Sequence, residues 1–372
     1  MKLLEKTKVG SVGLANRVVM APMTRNRATT EGLVTKSMIT YYEQRAGMGL
    51  IITEGVNISR QAIGSANTPG IYTEQQTESW KMVTEAVHKK GGKIFLQLWH
   101  TGRSSHSSLQ QNGDLPVSAS AVRIEEHKIP TPSGMQAYEL PRALETKEVK
   151  DVVKQYGTAA ENAKHAGFDG VELHGAFGYL PNQFLVDGVN KRRDKYGGSI
   201  ENRSRFVLEI MQVLITVWGP GKAGIKLSPS IPFNGMIDSD PKALFTYLIK
   251  ELNKMPLAYL HLMGPLFPLT EFPDWPSDVI GTYGSLFDKT VIANGGYTRD
   301  TAEKLIENGK AQLVSFASLA LANPDLVKRF ELHASLNKPD RNTYYSGGDK
   351  GYIDYPTLNQ SLAPREQEPT LK

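Results

Sequence analysis

Short apolar runs of β character recur along the chain, and most of them are followed by a stretch in which apolar residues have helical spacing. The eight runs that we interpret as strands are residues 18–23, 50–54, 93–98, 170–174, 224–228, 258–263, 290–294 and 313–318. The clearest helical stretches are residues 74–90, 146–166, 199–218, 241–252 and 299–308. Alternating strands and helices favour a parallel sheet. Eight such units predict an α/β fold with a single closed (β/α)8 TIM barrel.

Two segments depart from a minimal barrel. Residues 101–145 follow the third predicted strand, contain four prolines, and are too long for an ordinary strand-to-helix loop, so they predict a flap insertion at the barrel mouth. Residues 357–372 are polar and predict a loosely held C-terminal tail. We therefore expect one barrel domain over residues 1–356. No Gly-x-Gly-x-x-Gly follows an early strand, which argues against a Rossmann domain.

Composition excludes several classes of function. The net charge of +5 is mild for 372 residues and no block of Lys or Arg stands out, so nucleic acid is not an expected partner. Cysteine is absent, which excludes disulfides, thiolate metal sites and a cysteine nucleophile. No apolar run approaches the roughly 20 residues of a membrane helix, and no signal peptide is evident. We expect no membrane partner and a cytoplasmic location.

Barrel active sites lie at the carboxyl ends of the strands. Glu172 and His174 share one face of the fourth predicted strand near that end, where inward polar groups are costly unless used or paired. They either take part in function or satisfy each other and the neighbouring backbone. Gly295 and Gly296 follow the seventh strand and indicate either a phosphate site or a tight turn. His100 and His106 lack further ligands, so no metal is predicted.

Taken together, the strand-end segments resemble the Old Yellow Enzyme family of FMN-dependent NADPH dehydrogenases, also called ene-reductases. The resemblance runs from about Leu4 to about Pro356. It is carried by residues 16–25, 95–100, 102–103, 174–180, 183–185, 194–203, 293–297 and 322–326. Several motifs in the same order make it specific.

The resemblance implies that FMN, reduced by NADPH or NADH, passes hydride to a small activated alkene such as an enal, enone, maleimide or nitroalkene. It implies that Tyr179 protonates the substrate, with His174 as its catalytic partner, and that Thr24 and Gln97 contact the flavin. Substrate-binding positions are Trp99, Phe177, Tyr345 and Ser65. Cofactor-binding positions are Pro22, Met23, Thr24, Gly55, Gln97, His174, Lys226, Gly295, Gly296, Ala317 and Ser318. The oligomeric state can be either a monomer or a homodimer.

Four positions depart from the family pattern. Phe177 replaces the second hydrogen-bond donor for the substrate oxygen, and Ala317–Ser318 replaces a Gly-Arg pair that holds the FMN phosphate. Lys226 stands where the family has Arg, and Ser65 where many relatives have Tyr. Two alternatives to ene-reduction therefore stay open. One is redox-neutral or otherwise altered flavin chemistry, and the other is a flavin-poor barrel that acts as a binding or scaffold protein.

Overall fold

The computed structural model describes residues 1–362 and forms a closed barrel of parallel strands. The strands are β1 (Thr7–Val9), β2 (Val12–Leu14), β3 (Val18–Met20), β4 (Leu50–Asn57), β5 (Ile94–Trp99), β6 (Val117–Ser118), β7 (Lys128–Thr131), β8 (Gly134–Ala137), β9 (Arg142–Ala143), β10 (Gly170–Gly175), β11 (Ala223–Leu227), β12 (Tyr259–Met263), β13 (Thr290–Asn294) and β14 (Leu313–Phe316). The α-helices are α1 (Lys36–Gln44), α2 (Glu74–Lys89), α3 (Thr146–His165), α4 (Leu180–Leu185), α5 (Ile200–Trp218), α6 (Pro241–Asn253), α7 (Val279–Tyr283), α8 (Arg299–Glu307), α9 (Ser318–Ala322), α10 (Leu326–Glu331) and α11 (Leu358–Leu362).

The barrel strands pair in the order β3-β4-β5-β10-β11-β12-β13-β14, and β14 pairs with β3 to close the ring. These are the eight predicted strands, so the predicted barrel is confirmed. Three strand ends differ from the prediction by two residues or more, and the other ends agree within one residue. Strand β3 stops at Met20 because Pro22 has no backbone N–H to donate. Strand β14 stops at Phe316, since Ala317 leaves strand geometry and Ser318 begins a helix. Strand β4 continues past an irregular pairing after Ile52.

The five predicted helices are all present, and each predicted end lies within one residue of the observed one. In four of the five helices the extra predicted residue is a capping residue. Ser199, for example, accepts a hydrogen bond from Asn202 as the N-cap of α5, and Thr73 forms a capping box with Gln76 at the start of α2. The remaining helices are at most nine residues long, which is too short for a clear periodic pattern. No helix within residues 1–362 has the length and apolarity to cross a bilayer.

An N-terminal hairpin closes the end of the barrel at which the strands begin. Strands β1 and β2 pair antiparallel, and Val9, Val12 and Leu14 join the cluster of buried residues inside the barrel that includes Val19 and Phe95. Sequence patterning missed this hairpin because its strands have only three residues each. Its apolar side chains fill the amino-terminal end, so the polar interior lies toward the carboxyl ends of the strands.

The predicted insertion after the third barrel strand carries two small sheets, β6 with β9 and β7 with β8. Buried Arg103 ties it to the barrel, since its guanidinium donates to the carbonyls of Val122 in the insertion and Asn234 in the loop after β11. The ring of His127 also stacks on Phe233 of that loop at 5.0 Å. These contacts hold the flap beside the barrel mouth. Of the predicted tail, residues 363–372 lie outside the described residues.

Candidate active site

A buried chain of hydrogen bonds crosses the barrel interior. The Gln97 side-chain amide donates to Oε1 of Glu172 at 2.7 Å. Oε2 of Glu172 lies 2.8 Å from Nδ1 of His261, whose Nε2 lies 2.8 Å from the Ser315 hydroxyl. All four side chains are buried. Glu172 is therefore satisfied by Gln97 and His261, and the sequence-based alternative in which Glu172 and His174 satisfy each other is wrong.

His261 was missed by the sequence analysis. It lies in β12, two residues after Tyr259, so both side chains belong to the inward face of that strand. Burial lowers the pKa of His261, while the Glu172 carboxylate acts in the opposite direction. A polar residue at an inward position of an otherwise apolar strand was the signal that could have revealed it.

Lys226 and His174 stand side by side above this chain. In the strand register His174 pairs with Lys226, which in turn pairs with His261. Burial lowers the pKa of Lys226 to about 8, against the opposing effect of Glu172, so the amine is mostly protonated at neutral pH. Burial and the charge of Lys226 lower the pKa of His174, which leaves its ring neutral. Nδ1 of His174 is buried without a hydrogen-bond partner among residues 1–362.

Tyr179 lies between two rings that the sequence analysis also assigned to the site. Its ring meets His174 edge to face at 4.8 Å and Trp99 edge to face at 5.0 Å. Burial raises the pKa of Tyr179 above its ordinary value, and Tyr345 and Tyr138 add to the effect. No other residue of the described chain forms a hydrogen bond with its hydroxyl. The site thus holds a neutral phenol next to an unpaired imidazole nitrogen.

The other predicted substrate positions, Tyr345, Phe177 and Ser65, lie outside the barrel strands. Tyr345 is 63% exposed, as expected of a residue at the rim. Phe177 follows β10 with a φ of 57°, and its N–H donates to the Ser228 hydroxyl. The Ser65 hydroxyl donates to the side-chain oxygen of Asn26, two residues after Thr24. Ser65 is thereby engaged with the loop after β3.

The predicted ring end of the FMN site has groups that fit a flavin. Pro22, Met23 and Thr24 are partly exposed beyond β3, and the Thr24 hydroxyl has no hydrogen-bond partner within the described chain. A Cβ atom at Gly55 would lie 2.7 Å from the Trp99 ring, so only glycine fits there. Together with the Lys226 cation, these groups offer a hydrogen bond and positive charge to the polar edge of a flavin.

The described loop segments at the predicted phosphate end supply no cationic side chain of their own. Gly295 and Gly296 have φ values of 129° and 72°, which glycine adopts readily, and Ala317 and Ser318 are exposed. Residues 264–278, 294–298 and 316–325, which follow the last three barrel strands, contain no Lys or Arg. Backbone N–H groups and the Ser318 hydroxyl are the donors that remain. The residues present therefore fit FMN well at its ring and less well at its phosphate.

Restoring an arginine at this end should strengthen FMN binding. Because a charge-assisted hydrogen bond contributes about 1.5–3 kcal/mol, Ser318→Arg is expected to lower the FMN dissociation constant roughly 10- to 100-fold. Fluorescence titration of flavin-free protein measures this, with riboflavin as the phosphate-free ligand and Ser318→Gln as the uncharged control. An equal gain for riboflavin would show that the arginine acts elsewhere than on the phosphate.

Comparisons with known proteins agree with this geometry. Residues 2–337 match the model of the NADH:flavin oxidoreductase / NADH oxidase family. The chain is 44% identical over 361 residues to 12-oxophytodienoate reductase 1 of Oryza sativa subsp. japonica, covering 96% of this chain and 93% of the relative. The structure of morphinone reductase superposes with a TM-score of 0.92 at 42% identity, covering 98% of each chain. The old yellow enzyme homologue from Zymomonas mobilis gives a TM-score of 0.91 at 36% identity, covering 96% of this chain and 100% of that one.

The family match covers most of the chain, and the relatives align over nearly their whole length. The fold and the polar strand ends thus belong to one known class of enzyme, and nothing in the comparisons favours redox-neutral chemistry or a scaffold barrel. The chain belongs to the Old Yellow Enzyme family and is an FMN-dependent oxidoreductase that takes hydride from NAD(P)H and acts on activated alkenes.

Proposed function

We propose that His174 and Tyr179 are the catalytic pair of this oxidoreductase. The observation that carries the proposal is the unpaired, buried Nδ1 of neutral His174 beside the unpaired hydroxyl of Tyr179, whose rings lie 4.8 Å apart. A neutral imidazole donates one hydrogen bond, and here it holds the oxygen of the group that activates the alkene. Tyr179, kept protonated by its raised pKa, delivers the proton.

FMN, when bound and reduced by NAD(P)H, supplies the hydride for the substrate carbon. The residues of the chain bind and orient the flavin and the substrate. Lys226 would hold the polar edge of the flavin with a buried positive charge. Gln97 is fixed by its bond to Glu172 and contacts the same edge. Trp99, packed on Tyr179, sets the width of the substrate pocket.

The remaining cofactor and substrate assignments rest on position and on the family resemblance. Thr24 and the flanking Pro22 and Met23 contact the flavin from the end of β3, and Gly55 from β4. The phosphate would be held by backbone groups of Gly295, Gly296, Ala317 and Ser318. The loop segments that carry these residues contribute no Lys or Arg side chain. Tyr345 and Ser65 line the outer pocket. The names of relatives refer to reduction of 12-oxophytodienoate and of morphinone, so enones are the first substrates to try.

Beyond the site, we infer that residues 1–356 act as one flavin-binding domain, that the protein is cytoplasmic, and that it is a monomer or a homodimer. NADPH and NADH are both reductants to try, since the family resemblance covers both nicotinamide cofactors. Neither nucleic acid nor a membrane is an expected partner, given the mild charge and the short apolar runs.

Anaerobic absorption spectroscopy of purified protein supplied with FMN tests the function. The visible flavin bands are expected to bleach when NADPH is added and to return when an enone follows, because both half-reactions use the same site. An uncoloured protein that takes up no FMN contradicts the proposal. Bleaching without recovery on any alkene would contradict the assigned alkene chemistry while leaving the flavin site intact.

A further inference from the structure

Four aromatic side chains form a continuous row from the catalytic pair to the flap. Phe177 and Phe233 meet edge to face with ring centroids 6.4 Å apart. Phe233 stacks on His127 at 5.0 Å, and His127 meets Tyr138 edge to face at 5.4 Å. We call Phe177, Phe233, His127 and Tyr138 the aromatic wall. It draws on three separate segments, namely the loop after β10, the loop after β11 and the insertion.

One end of the aromatic wall lies next to the proposed catalytic pair. The ring of His174 lies 6.5 Å from that of Phe177, at right angles to it. At its far end Tyr138 is close enough to Tyr179 to influence the pKa of that phenol. A substrate oxygen held by His174 would therefore leave the rest of the molecule beside the wall. Any apolar substituent on that side meets ring faces and edges rather than polar groups.

The wall is held in place by polar contacts of its backbone. Phe177 has a φ of 57°, a conformation that costs energy for a large side chain and persists only when neighbours fix it. Its N–H donates to the Ser228 hydroxyl at 3.0 Å, and its carbonyl accepts from the Asn234 side-chain amide at 3.2 Å. The Arg103 guanidinium fixes the carbonyl of Asn234 in turn. The backbone of Phe177 is thus held in one conformation.

The outer part of the wall exposes apolar surface. Phe233 is 42% exposed, although a ring of this size gains free energy when it is covered. His127 remains about one-third exposed on the other side of the stack. Phe177, next to His174, has no hydrogen-bond donor in its side chain to offer a substrate oxygen. Binding energy at this site therefore comes from ring contacts more than from polar ones.

We propose that the aromatic wall determines substrate specificity and selects activated alkenes that carry an aryl or similarly flat apolar substituent. The activating oxygen is held by His174 alone, and the substituent packs against Phe177 and Phe233, with His127 behind them. Phe233 and His127 are the specificity-determining residues that this adds to the site. The inference rests on the proposed function for the position of the substrate oxygen.

The binding of saturated ketones, which cannot be reduced as alkenes, tests the contribution of the aromatic wall to affinity independently of catalysis. Isothermal titration calorimetry of the FMN-loaded protein compares 4-phenylbutan-2-one with pentan-2-one, which differ by a phenyl against a methyl group. The wild-type protein is expected to prefer the aryl ketone. Phe233→Ala and His127→Ala are each expected to reduce the ratio of the two dissociation constants roughly two- to tenfold, the usual range for one aromatic contact. Met135→Ala, at an exposed flap position, should leave the ratio unchanged.

The matching alkenes, 4-phenylbut-3-en-2-one and pent-3-en-2-one, are then compared by kcat/KM, and the same change of ratio is expected. An aryl preference that survives both Phe233→Ala and His127→Ala overturns the inference. If neither alkene reoxidises the reduced flavin of the wild type, the proposed function fails, while the calorimetric ratio still decides about the wall. Should Phe233→Ala fail to fold, Phe233→Leu removes the ring at similar volume and gives the same decision.

Discussion

Replacing Tyr179 with phenylalanine should slow the reduction of an alkene by about 10²- to 10⁴-fold, the usual contribution of a positioned general acid. Phenylalanine keeps the edge-to-face contacts with His174 and Trp99 and removes only the hydroxyl. Reduction of the flavin by NADPH needs no proton from this group and should keep its rate. Anaerobic stopped-flow measurement of the two half-reactions separates these effects.

Tyr345→Phe is the matched control, because Tyr345 is also a tyrosine of the pocket but is mostly exposed at its rim. It should change neither half-reaction by more than a few-fold. The raised pKa of Tyr179 adds a second readout, since its phenol stays protonated across the neutral range and should cause no loss of alkene reduction there as pH rises. Equal slowing of both half-reactions by Tyr179→Phe would contradict its role as proton donor.

Replacing His261 with leucine should lower the free energy of unfolding by about 1.5–3 kcal/mol, the usual contribution of a hydrogen bond to a charged group, because the neutral imidazole donates to the buried Glu172 carboxylate. Glu172 would lose one of its two hydrogen-bonding groups in a fully buried position. Gln97 and the nearby Lys226 would still offer some compensation, which places the expected value toward the lower end. Urea unfolding followed by circular dichroism measures it.

Ser315→Ala is the control for this change, since it removes the other bond of His261 and leaves Glu172 paired. It should cost about 1 kcal/mol. The double replacement His261→Leu with Glu172→Met removes the carboxylate as well, and should recover much of the lost stability. If His261→Leu is no more harmful than Ser315→Ala, the buried Glu172 does not depend on His261 for its charge.

Local patterns in the chain were sufficient for the barrel. Eight apolar runs separated by helical stretches gave the strand order, since parallel strands joined by helices have few other ways to bury both faces. Helix ends could also be predicted from the sequence, because a cap such as Ser199 bonds to a backbone N–H only three positions away. The assignment of Tyr179 and His174 and the absence of a phosphate arginine came from the resemblance of strand-end motifs to the family, and these assignments stay predictions.

Only the closed barrel decided which residues meet across it. Glu172 and His261 are 89 positions apart, and their contact depends on the stagger of β10, β11 and β12. The aromatic wall joins three loops that no local pattern relates, with Phe177 held in a positive-φ conformation by Ser228 and Asn234. The sequence determined the elements and the ends at which chemistry occurs. Partners across the barrel came from tertiary structure, because their distances are set by ring closure and not by separation along the chain.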